Sequence, residues 1–476
     1  MVDEYWLERI KQYLSNDLSL IADEYEDYLA DANKQEKKNN GQYYTPDDVC
    51  VWMAKKFKEI WNGQKIIDPC CGCGNLIVEV IKQLNFSWEE VKEKIVLFDI
   101  DDTALTIAKA IIGKSLGITD FNEIRQIKSY NEDFLLNIAK HDFNNFMIIA
   151  NPPYGKCDTK LYEQIYETSS IKNWYPLFLE AFAKYAEGYV AVVPQSFLGS
   201  NKYSILRQIL SDNSGGNIWA FDNVPSGIFY GRKKGIFNTN SSNSVRAAII
   251  QADANKQHGF HISPLIRWKS EERQELFGYA DNQLSSILWR DKASWGKIPK
   301  ELEKFYQNYM IKNDIQPFKI VKNLISDNGQ YNLYIPSTPR YFTSASCRKL
   351  NRSQQIELHF NNKQDRDAVY LLLVSSFAYA WWRFFDGEIT FTKTMLLNMP
   401  IPIQAIQNSH LAQNIQEQEE EYIVYKMNAG KKNENIKFPK KLIAYLNNIL
   451  FNESELIHLH RNSLTKEELI DIIQLS

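Results

Sequence analysis

The chain opens with a helical spacing of apolar residues and continues as short apolar runs separated by amphipathic stretches. Residues 4–29 repeat apolar positions at helical spacing, which predicts one helix, and the polar run ANKQEKKNNG ends it. In the next segment Thr45, Pro46 and two aspartates follow one another in the order typical of a helix N-terminus. We expect Thr45 to be the N-cap of a helix that begins at Pro46.

The segment from about residue 65 to 250 alternates short apolar runs with helical stretches, which is typical of an α/β sheet. Past about residue 256 the chain becomes aromatic and irregular, and its last stretch is charged and helical in pattern. We therefore expect a domain boundary near residues 252–262. The predicted strands are 65–67, 95–98, 146–150, 189–193 and 245–250, and the predicted helices are 76–83, 103–113, 176–185 and 204–210.

Composition narrows the class of protein. With 476 residues the chain can form two or three cores, and its 44% hydrophobic and 24% charged residues are those of a globular protein. It contains no apolar run of about 18 residues and no apolar signal core at its start, so we expect no membrane span, no export and a cytoplasmic location. Six cysteines in so long a chain favour reduced thiols over a disulfide framework.

The net charge of −3 argues mildly against a nucleic-acid partner, but charge is unevenly distributed. Residues 1–250 hold 27 basic and 33 acidic side chains, whereas residues 251–476 hold 28 basic and 25 acidic side chains. Within the second half, residues 319–352 contain six basic side chains and a single acid, Asp327. This stretch is a candidate for phosphate contacts, and a solvated basic loop is the alternative.

The first candidate site is the segment DPCCGCGN, residues 68–75, between a predicted strand and a predicted helix. Glycines at such a turn let a nucleotide-like ligand approach the backbone, and the helix N-terminus supplies amide donors. No Lys-Ser/Thr pair follows, so this is not a phosphate loop, and an ordinary tight turn is the alternative. The clustered cysteines lack a histidine partner motif, so we expect no metal site.

Two further candidates follow later strands. Asp99, with Asp101 as second choice, ends the next predicted strand, where an acid can accept both hydroxyls of a ribose. The segment NPPY, residues 151–154, follows the apolar run FMIIA. Its prolines fix the backbone, so the Asn151 amide oxygen and a backbone carbonyl can accept both hydrogens of an exocyclic amine, while Tyr154 offers a ring for stacking.

Taken together, GQYYTP at 41–46, the glycine loop, Asp99, DFLL at 133–136 and NPPY resemble the S-adenosylmethionine-dependent DNA adenine-N6 methyltransferases with γ-type motif order. The resemblance covers about residues 41–250. It implies an α/β fold: a Rossmann-like class I methyltransferase domain with a mostly parallel sheet at 39–255. A helical segment at 1–38 would precede it, and an α+β DNA-recognition domain at 256–476 would follow it.

The resemblance also implies roles for individual residues. Asn151, Pro152, Pro153 and Tyr154 would form the catalytic segment, and Phe229 and Phe197 would stack on the target base with Tyr154. A long polar insertion before Val245 leaves Phe237 as an alternative to Phe229. The residues that would bind S-adenosylmethionine are Tyr44, Thr45, Pro46, Asp68, Cys71, Gly72, Gly74, Asn75, Asp99, Ile100, Asp133 and Phe134.

The partner implied by the resemblance is double-stranded DNA with a flipped-out adenine. We expect the basic stretch to contact it through Arg340, Arg348, Lys349 and Arg352. A separate cognate restriction endonuclease is a candidate partner, and we expect a monomer. The same tetrapeptide also occurs in enzymes that methylate RNA adenine or protein glutamine. These substrates remain the alternative, although the large basic C-terminal half favours DNA.

Overall fold

A computed structural model describes residues 2–15, 21–32, 45–141, 144–223, 225–229, 245–311, 319–339, 341–386, 390–428 and 430–461. Tyr44, Phe237 and Arg340, to which the sequence assigns functional roles, lie outside these ranges. The chain forms two compact units, one made of Met1–Ser263 and Arg273–Trp295 and the other of Pro264–Glu272 and Gly296–Ser476.

The first unit is an α/β structure. Its helices, in chain order, are α1 (Glu4–Ser15), α2 (Ile21–Ala32), α3 (Asp47–Ile60), α4 (Asn75–Leu84), α5 (Trp88–Lys94), α6 (Asp102–Ser115), α7 (Phe121–Ile124), α8 (Phe134–Asn137), α9 (Trp174–Tyr185), α10 (Ser196–Gly199), α11 (Ser204–Asn213) and α12 (Leu276–Asp281). The longer helices each bury one apolar stripe, as amphipathic helices that cover a sheet must.

A nine-stranded sheet organises the first unit, in the order β3-β2-β1-β4-β5-β7-β6-β8-β9. The first five strands in this order are parallel, and β7 pairs antiparallel with both β5 and β6. The chain passes from the first unit to the second within β8. The strands are β1 (Lys65–Asp68), β2 (Ile95–Phe98), β3 (Lys128–Tyr130), β4 (Phe146–Ala150), β5 (Gly188–Pro194), β6 (Gly215–Phe221), β7 (Ala247–Asp253), β8 (Gly259–Ile266) and β9 (Leu288–Trp289).

This sheet confirms the predicted α/β fold with a mostly parallel sheet. Strands β1, β2 and β4 are buried on both faces, which explains why each reads as a continuous apolar run. Strand β1 lies between β2 and β4. Strands β2 and β3 follow on one side of β1, and β4 and β5 follow on the other side, so the strand order reverses there. In open α/β sheets, ligands bind at such a switch point, outside the carboxyl ends of the strands.

The second unit is α+β. Three antiparallel strand pairs, β10–β13, β11–β12 and β14–β15, accompany helices around the buried α14 and α15. The helices are α13 (Glu303–Tyr306), α14 (Lys363–Val374), α15 (Ser376–Phe385), α16 (Lys393–Leu397), α17 (Ile403–Gln407), α18 (Leu411–Glu417) and α19 (Lys440–Phe451), and the strands are β10 (Lys319–Ile320), β11 (Tyr331–Pro336), β12 (Gln355–Phe360), β13 (Pro400–Ile401), β14 (Ile423–Asn428) and β15 (Lys431–Ile436).

Within the described ranges no single helix is both long and apolar enough to cross a bilayer, and α14 with α15 meets the criterion only as a pair bent by 68°.

Two predictions about the N-terminal part are wrong in detail. The single helix expected over residues 4–29 is two helices, because α1 and α2 each bury an apolar stripe in one cluster with α6. Helix α3 begins at Asp47, with Pro46 rather than Thr45 at the N-cap position and no side-chain cap. The Thr45 hydroxyl accepts a hydrogen bond from Asn151 instead.

Candidate functional site

A cavity lies at the carboxyl ends of β1 and β4, at the switch point of the sheet. Its empty space is about 450 Å³, part of which is open solvent. The residues that line it are Glu26, Thr45, Asp68, Cys70, Cys71, Gly72, Cys73, Asn75, Leu76 and Asn151. The glycine loop, the strand-end asparagine and the segment before α3 therefore meet at one place, as the sequence predicts.

The glycine loop depends on backbone shapes that other residues rarely adopt. Gly72 and Gly74 have positive φ angles of 49° and 85°. A Cβ on Gly74 would lie 2.9 Å from the Cβ of Ala108, so a side chain there would clash with α6. Gly74 also takes the N-cap position of α4, so the loop leads directly into the amide-rich end of that helix.

Two carboxyl groups beside the loop, those of Asp68 and Asp99, have raised pKa values. Asp68 is 2% exposed, and burial raises its pKa to about 8, with a smaller contribution from the nearby Asp99 charge. Burial also raises the pKa of Asp99 to about 6, although the backbone N–H groups of Asp101 and Gly72 act in the opposite direction. Acids this deeply buried favour a cation beside them, because a positive charge would offset the loss of hydration.

Asp99, the predicted ribose ligand, supports the glycine loop. Its carboxylate accepts hydrogen bonds from the backbone N–H of Gly72 at 2.8 Å and of Asp101 at 2.9 Å. The following Ile100 is 75% exposed, an unusual degree for an isoleucine next to a cofactor-type loop. Asp101, the second choice, caps α6 and accepts a hydrogen bond from the Tyr25 hydroxyl at 2.6 Å. Asp101 is therefore a structural link to α2.

Asp133 and Phe134 begin α8. One oxygen of Asp133 accepts hydrogen bonds from the backbone N–H groups of Leu135 and Leu136, and the other accepts from the Tyr162 hydroxyl. Phe134 is buried, with its ring 5.3 Å from that of Phe98. Of these two predicted cofactor-binding residues, Asp133 thus caps a helix and Phe134 packs in the core.

The strand-end segment after β4 carries a chain of side-chain hydrogen bonds. The Asn151 side-chain amide donates to the Thr45 hydroxyl at 2.8 Å. The Tyr154 hydroxyl lies 2.6 Å from the Asn151 amide oxygen and 2.9 Å from the Val192 carbonyl, both of which are acceptors. The Asn151 amide therefore has a hydroxyl at each end, that of Thr45 at the nitrogen and that of Tyr154 at the oxygen.

The predicted stacking aromatics differ in their surroundings. Phe229 lies beside Tyr154, with ring centroids 6.0 Å apart and planes at 66°. Phe197 is completely buried and packs edge-on against Trp295, so its ring belongs to the core in this structure. The structure therefore shows no open face of the Phe197 ring, and its stacking on a target base stays a prediction.

Glu26 is the lining residue that motif reasoning missed. It lies on α2, outside every recognised motif, next to the buried Tyr25 whose hydroxyl bonds to Asp101. The Tyr25 ring packs at 4.7 Å against Trp6 of α1, which fixes α2 beside the loop. The apolar spacing of α2 predicts that Tyr25 is buried, but it does not predict that the neighbouring Glu26 lines the cavity.

The cysteines of the loop are free thiols, of which Cys71 and Cys73 are buried and Cys70 is half-buried. Burial raises the pKa of Cys70, Cys71 and Cys73 well above the usual value, so all three remain protonated and neutral. Across the part of the chain that the structure describes, no group of three or more His, Cys, Asp or Glu side chains is arranged to hold a metal ion.

The basic stretch bonds to its own unit. Arg348 forms an ion pair with Glu434 of β15, and Arg352 donates to the Asn435 side chain at 2.6 Å. Lys349, between them in sequence, is exposed. Sequence composition predicted contacts to a partner for all three, whereas the two arginines contact a hairpin of the same chain.

Comparison with known proteins gives one family. A sequence model of the family described as N-6 DNA Methylase matches residues 16–253, half of the chain. Type II methyltransferase M.VspI from Vibrio sp. (strain 343) is 27% identical over 136 residues, which are 29% of this chain and 30% of that protein. The alignment thus spans less than a third of this relative.

Solved structures are similar at a lower level. A DrdV–DNA complex is 16% identical, with 91% of this chain and 46% of that chain covered and a TM-score of 0.46. The type I restriction-modification methyltransferase subunit from Streptococcus thermophilus is 18% identical, with 51% of each chain covered and a TM-score of 0.37. The family model matches half of the chain, and the chain belongs to the N-6 DNA methylase family.

Proposed function

We propose that this chain transfers a methyl group from S-adenosylmethionine to N6 of a flipped-out adenine at a specific site in duplex DNA, as the modification enzyme of a restriction-modification system. Membership in the N-6 DNA methylase family makes S-adenosylmethionine its methyl donor. The observation that supports the proposal most directly is the position of Asn151. It belongs to the NPPY segment and also lines the cavity of the glycine loop.

The lining and the charge of the cavity suit this cofactor. It lies at a glycine loop, where backbone N–H groups can face a ligand that carries a nucleoside. Two acids line it, the deeply buried Asp68 and the half-buried Glu26, and the methionine part of the cofactor carries positive charge. When bound, the cofactor supplies an electrophilic methyl group on a sulfonium sulfur.

Asn151 and Pro152 would hold the target amine. The N6 amino group of adenine is a weak nucleophile because its lone pair is delocalised into the ring. Acceptance of its two hydrogens by the Asn151 amide oxygen and the Pro152 carbonyl favours a more pyramidal nitrogen aimed into the cavity. The Thr45 hydroxyl accepts a hydrogen bond from the Asn151 amide nitrogen at 2.8 Å and helps to hold this side chain in place. No general base is needed before the attack, and water can take the proton afterwards.

The target base has to leave the DNA stack, since its N6 group is inside the duplex. Tyr154 and Phe229 would recover part of the lost stacking energy, at about 1–3 kcal/mol per stacked base. In the structure their rings contact each other edge to face at 6.0 Å. Entry of a base between them therefore requires Phe229 to move away from Tyr154.

The test is to identify the methylated nucleoside. Incubation of duplex DNA with labelled S-adenosylmethionine and the full chain, followed by digestion to nucleosides, should yield N6-methyladenine. The Asn151→Ala variant should lose about 10²–10³-fold in methyl transfer, as expected for loss of one positioned polar contact, and keep its affinity for S-adenosylhomocysteine in calorimetry. Asn122→Ala, at an exposed asparagine of α7, is the matched control.

Two outcomes would contradict the proposal. Full methyl transfer by Asn151→Ala would remove the asparagine from the site, and methylcytosine as the product would exclude adenine as the target. We further propose that the protein acts as a monomer beside a separate cognate endonuclease. Size-exclusion chromatography with light scattering, and cleavage protection of methylated DNA, test these two points.

A further inference from the structure

The hairpin formed by β14 and β15 is an exposed ribbon with an unusual surface. Tyr425 is 56% exposed and Met427 is 69% exposed, and the two side chains lie on the same face of β14. Lys426 and Lys432 are also exposed. We infer that this hairpin is a DNA-contacting element, in which the two lysines bind phosphates and Tyr425 with Met427 contacts base edges. The inference rests on the proposed function.

The register divides the exposed side chains between two faces. Met427 lies opposite Lys432, and Tyr425 lies opposite Glu434, so these four residues share one face. The Lys432 ammonium lies 4.1 Å from the centre of the Tyr425 ring. This face is therefore aromatic, apolar and positive within a few ångströms, a combination that suits bases and phosphates together.

Lys426 is on the opposite face and is also held over aromatic rings. Its ammonium lies 4.9 Å from the Phe342 ring centre and 5.8 Å from that of Tyr341. Tyr341 is 41% exposed and lies 5.3 Å from the guanidinium of Arg267, which is buried. An exposed lysine thus lies beside an exposed aromatic ring where the ribbon meets the rest of its unit. This combination suits a nucleic acid, because the cation can bind a phosphate and the ring can contact a base.

Charge favours a polyanion as the occupant. Both exposed charged side chains described on the ribbon, Lys426 and Lys432, are positive, and Glu434 is buried and paired with Arg348. The exposed acids Glu420 and Glu421 precede β14 at the base of the ribbon. The free end of the ribbon is therefore the positive part, and a two-stranded ribbon has the width to enter a DNA major groove.

The ribbon is fixed along one strand. The Glu434 backbone N–H donates to the Asn351 carbonyl at 2.9 Å, and the Glu434 carboxylate accepts from the Asn351 N–H at 2.7 Å. Arg352 donates to the Glu434 carbonyl and to Asn435, and Ser353 donates to Asn433. An isolated hairpin is marginally stable in water, so these bonds hold β15 and leave β14 facing outward.

This arrangement changes the roles of the basic stretch. Arg348 and Arg352 position the ribbon, and the lysines of the ribbon contact DNA. Tyr425 and Met427 together form an exposed apolar pair on one face of the ribbon. Phosphates account for the lysines, and apolar contact with a thymine methyl group accounts for Met427.

The experiment is a salt titration of DNA affinity with the full chain and bound S-adenosylhomocysteine, followed by fluorescence anisotropy. In Lys426→Ala/Lys432→Ala the slope of log Kd against log salt should fall by about 0.9 for each lost phosphate contact, and affinity should fall about tenfold. Tyr425→Ala/Met427→Ala should weaken binding severalfold and leave the slope unchanged. Lys426→Arg/Lys432→Arg should restore the wild-type slope.

The matched control is Lys304→Ala/Lys393→Ala, which removes two exposed lysines of the same unit that lie outside both the ribbon and the basic stretch 319–352. An unchanged slope in the ribbon variant, at an unchanged thermal midpoint, would overturn the inference, as would an equal loss in the control. A duplex RNA that competes as well as DNA would overturn the choice of partner. Adenine methylation by the wild type together with an unchanged ribbon slope would leave the proposed function standing and this inference refuted.

Discussion

The cavity beside β1 and β4 differs from the loop of residues 348–353, which bonds to the β14–β15 ribbon and is called the clamp below. The two regions use polar groups in opposite ways. Around the cavity, the buried Asp68 receives one long backbone hydrogen bond, from Cys70 at 3.3 Å, and has its pKa raised to about 8. In the clamp, Arg348 and Glu434 pair with each other, and the pKa of Glu434 is lowered by that hydrogen bond. A buried acid whose pKa is raised favours a cationic ligand beside it, whereas an acid paired with an arginine of the same chain indicates a structural role.

The largest effect that tests this comparison is the pH dependence of cofactor binding. Below pH 8 the Asp68 carboxyl is protonated in the free protein, and a cationic ligand requires the carboxylate. Binding therefore releases a proton, and affinity should fall by up to about tenfold for each pH unit below 8. Calorimetry between pH 6 and 8, in buffers of different ionisation enthalpy, measures both quantities.

Asp68→Asn is the control for this pH dependence. It should bind weakly and show only the titration of the ligand's own amino group. The same shift has a consequence for folding: because the folded state holds the Asp68 proton up to about pH 8, stability without cofactor should decrease as pH rises from about 4 to 8. Equal pH profiles in both proteins would show that Asp68 does not face the ligand's charge.

The next effect concerns Glu26. If its carboxylate faces the cationic part of the cofactor, Glu26→Gln should weaken S-adenosylhomocysteine binding about tenfold, the order of one charged hydrogen bond. Glu24→Gln is the matched control on α2, because Glu24 pairs with Arg9 at the surface and does not line the cavity. Equal affinities for the two variants would show that α2 only covers the site.

The smallest effect separates the clamp from a contact. Arg348→Ala removes the partner of Glu434 and should lower DNA affinity only a few-fold, with no change in the salt slope, because no phosphate contact is lost. A slope that falls by about 0.9 would instead show that Arg348 binds a phosphate directly. The clamp would then be a ligand-binding region, as the cavity is.

The α/β fold was predictable because its strands are short apolar runs with clear ends. The runs at β2 and β4 match the predicted bounds, and the residues that matter follow those strands. Strand β3 escaped prediction because Lys128–Tyr130 is only partly buried and has no apolar run. The division of residues 4–29 into two helices escaped because both helices keep the same apolar spacing.

The site was predictable where the motif itself sets the geometry. Asn151 and Gly72 line one cavity because parallel strands bring their ends to one edge. Glu26 was not predictable, since its position depends on the long-range bond between Tyr25 and Asp101. The contacts of Arg348 and Arg352 were not predictable either. Composition shows that the loop is basic, but it does not show that Arg348 donates to a carboxylate 86 residues further along the chain.

The bond between Tyr25 and Asp101 has a consequence for local unfolding. It joins α2 to the N-cap of α6, directly after the strand that carries Asp99. If the cofactor binds only when α2 is in place, opening of the two N-terminal helices must release it first. At a ligand concentration of 100 times Kd, the free energy of that opening rises by about 2.7 kcal/mol. Hydrogen exchange in α1 and α2 should then slow about a hundredfold, so the N-terminal helices report cofactor occupancy.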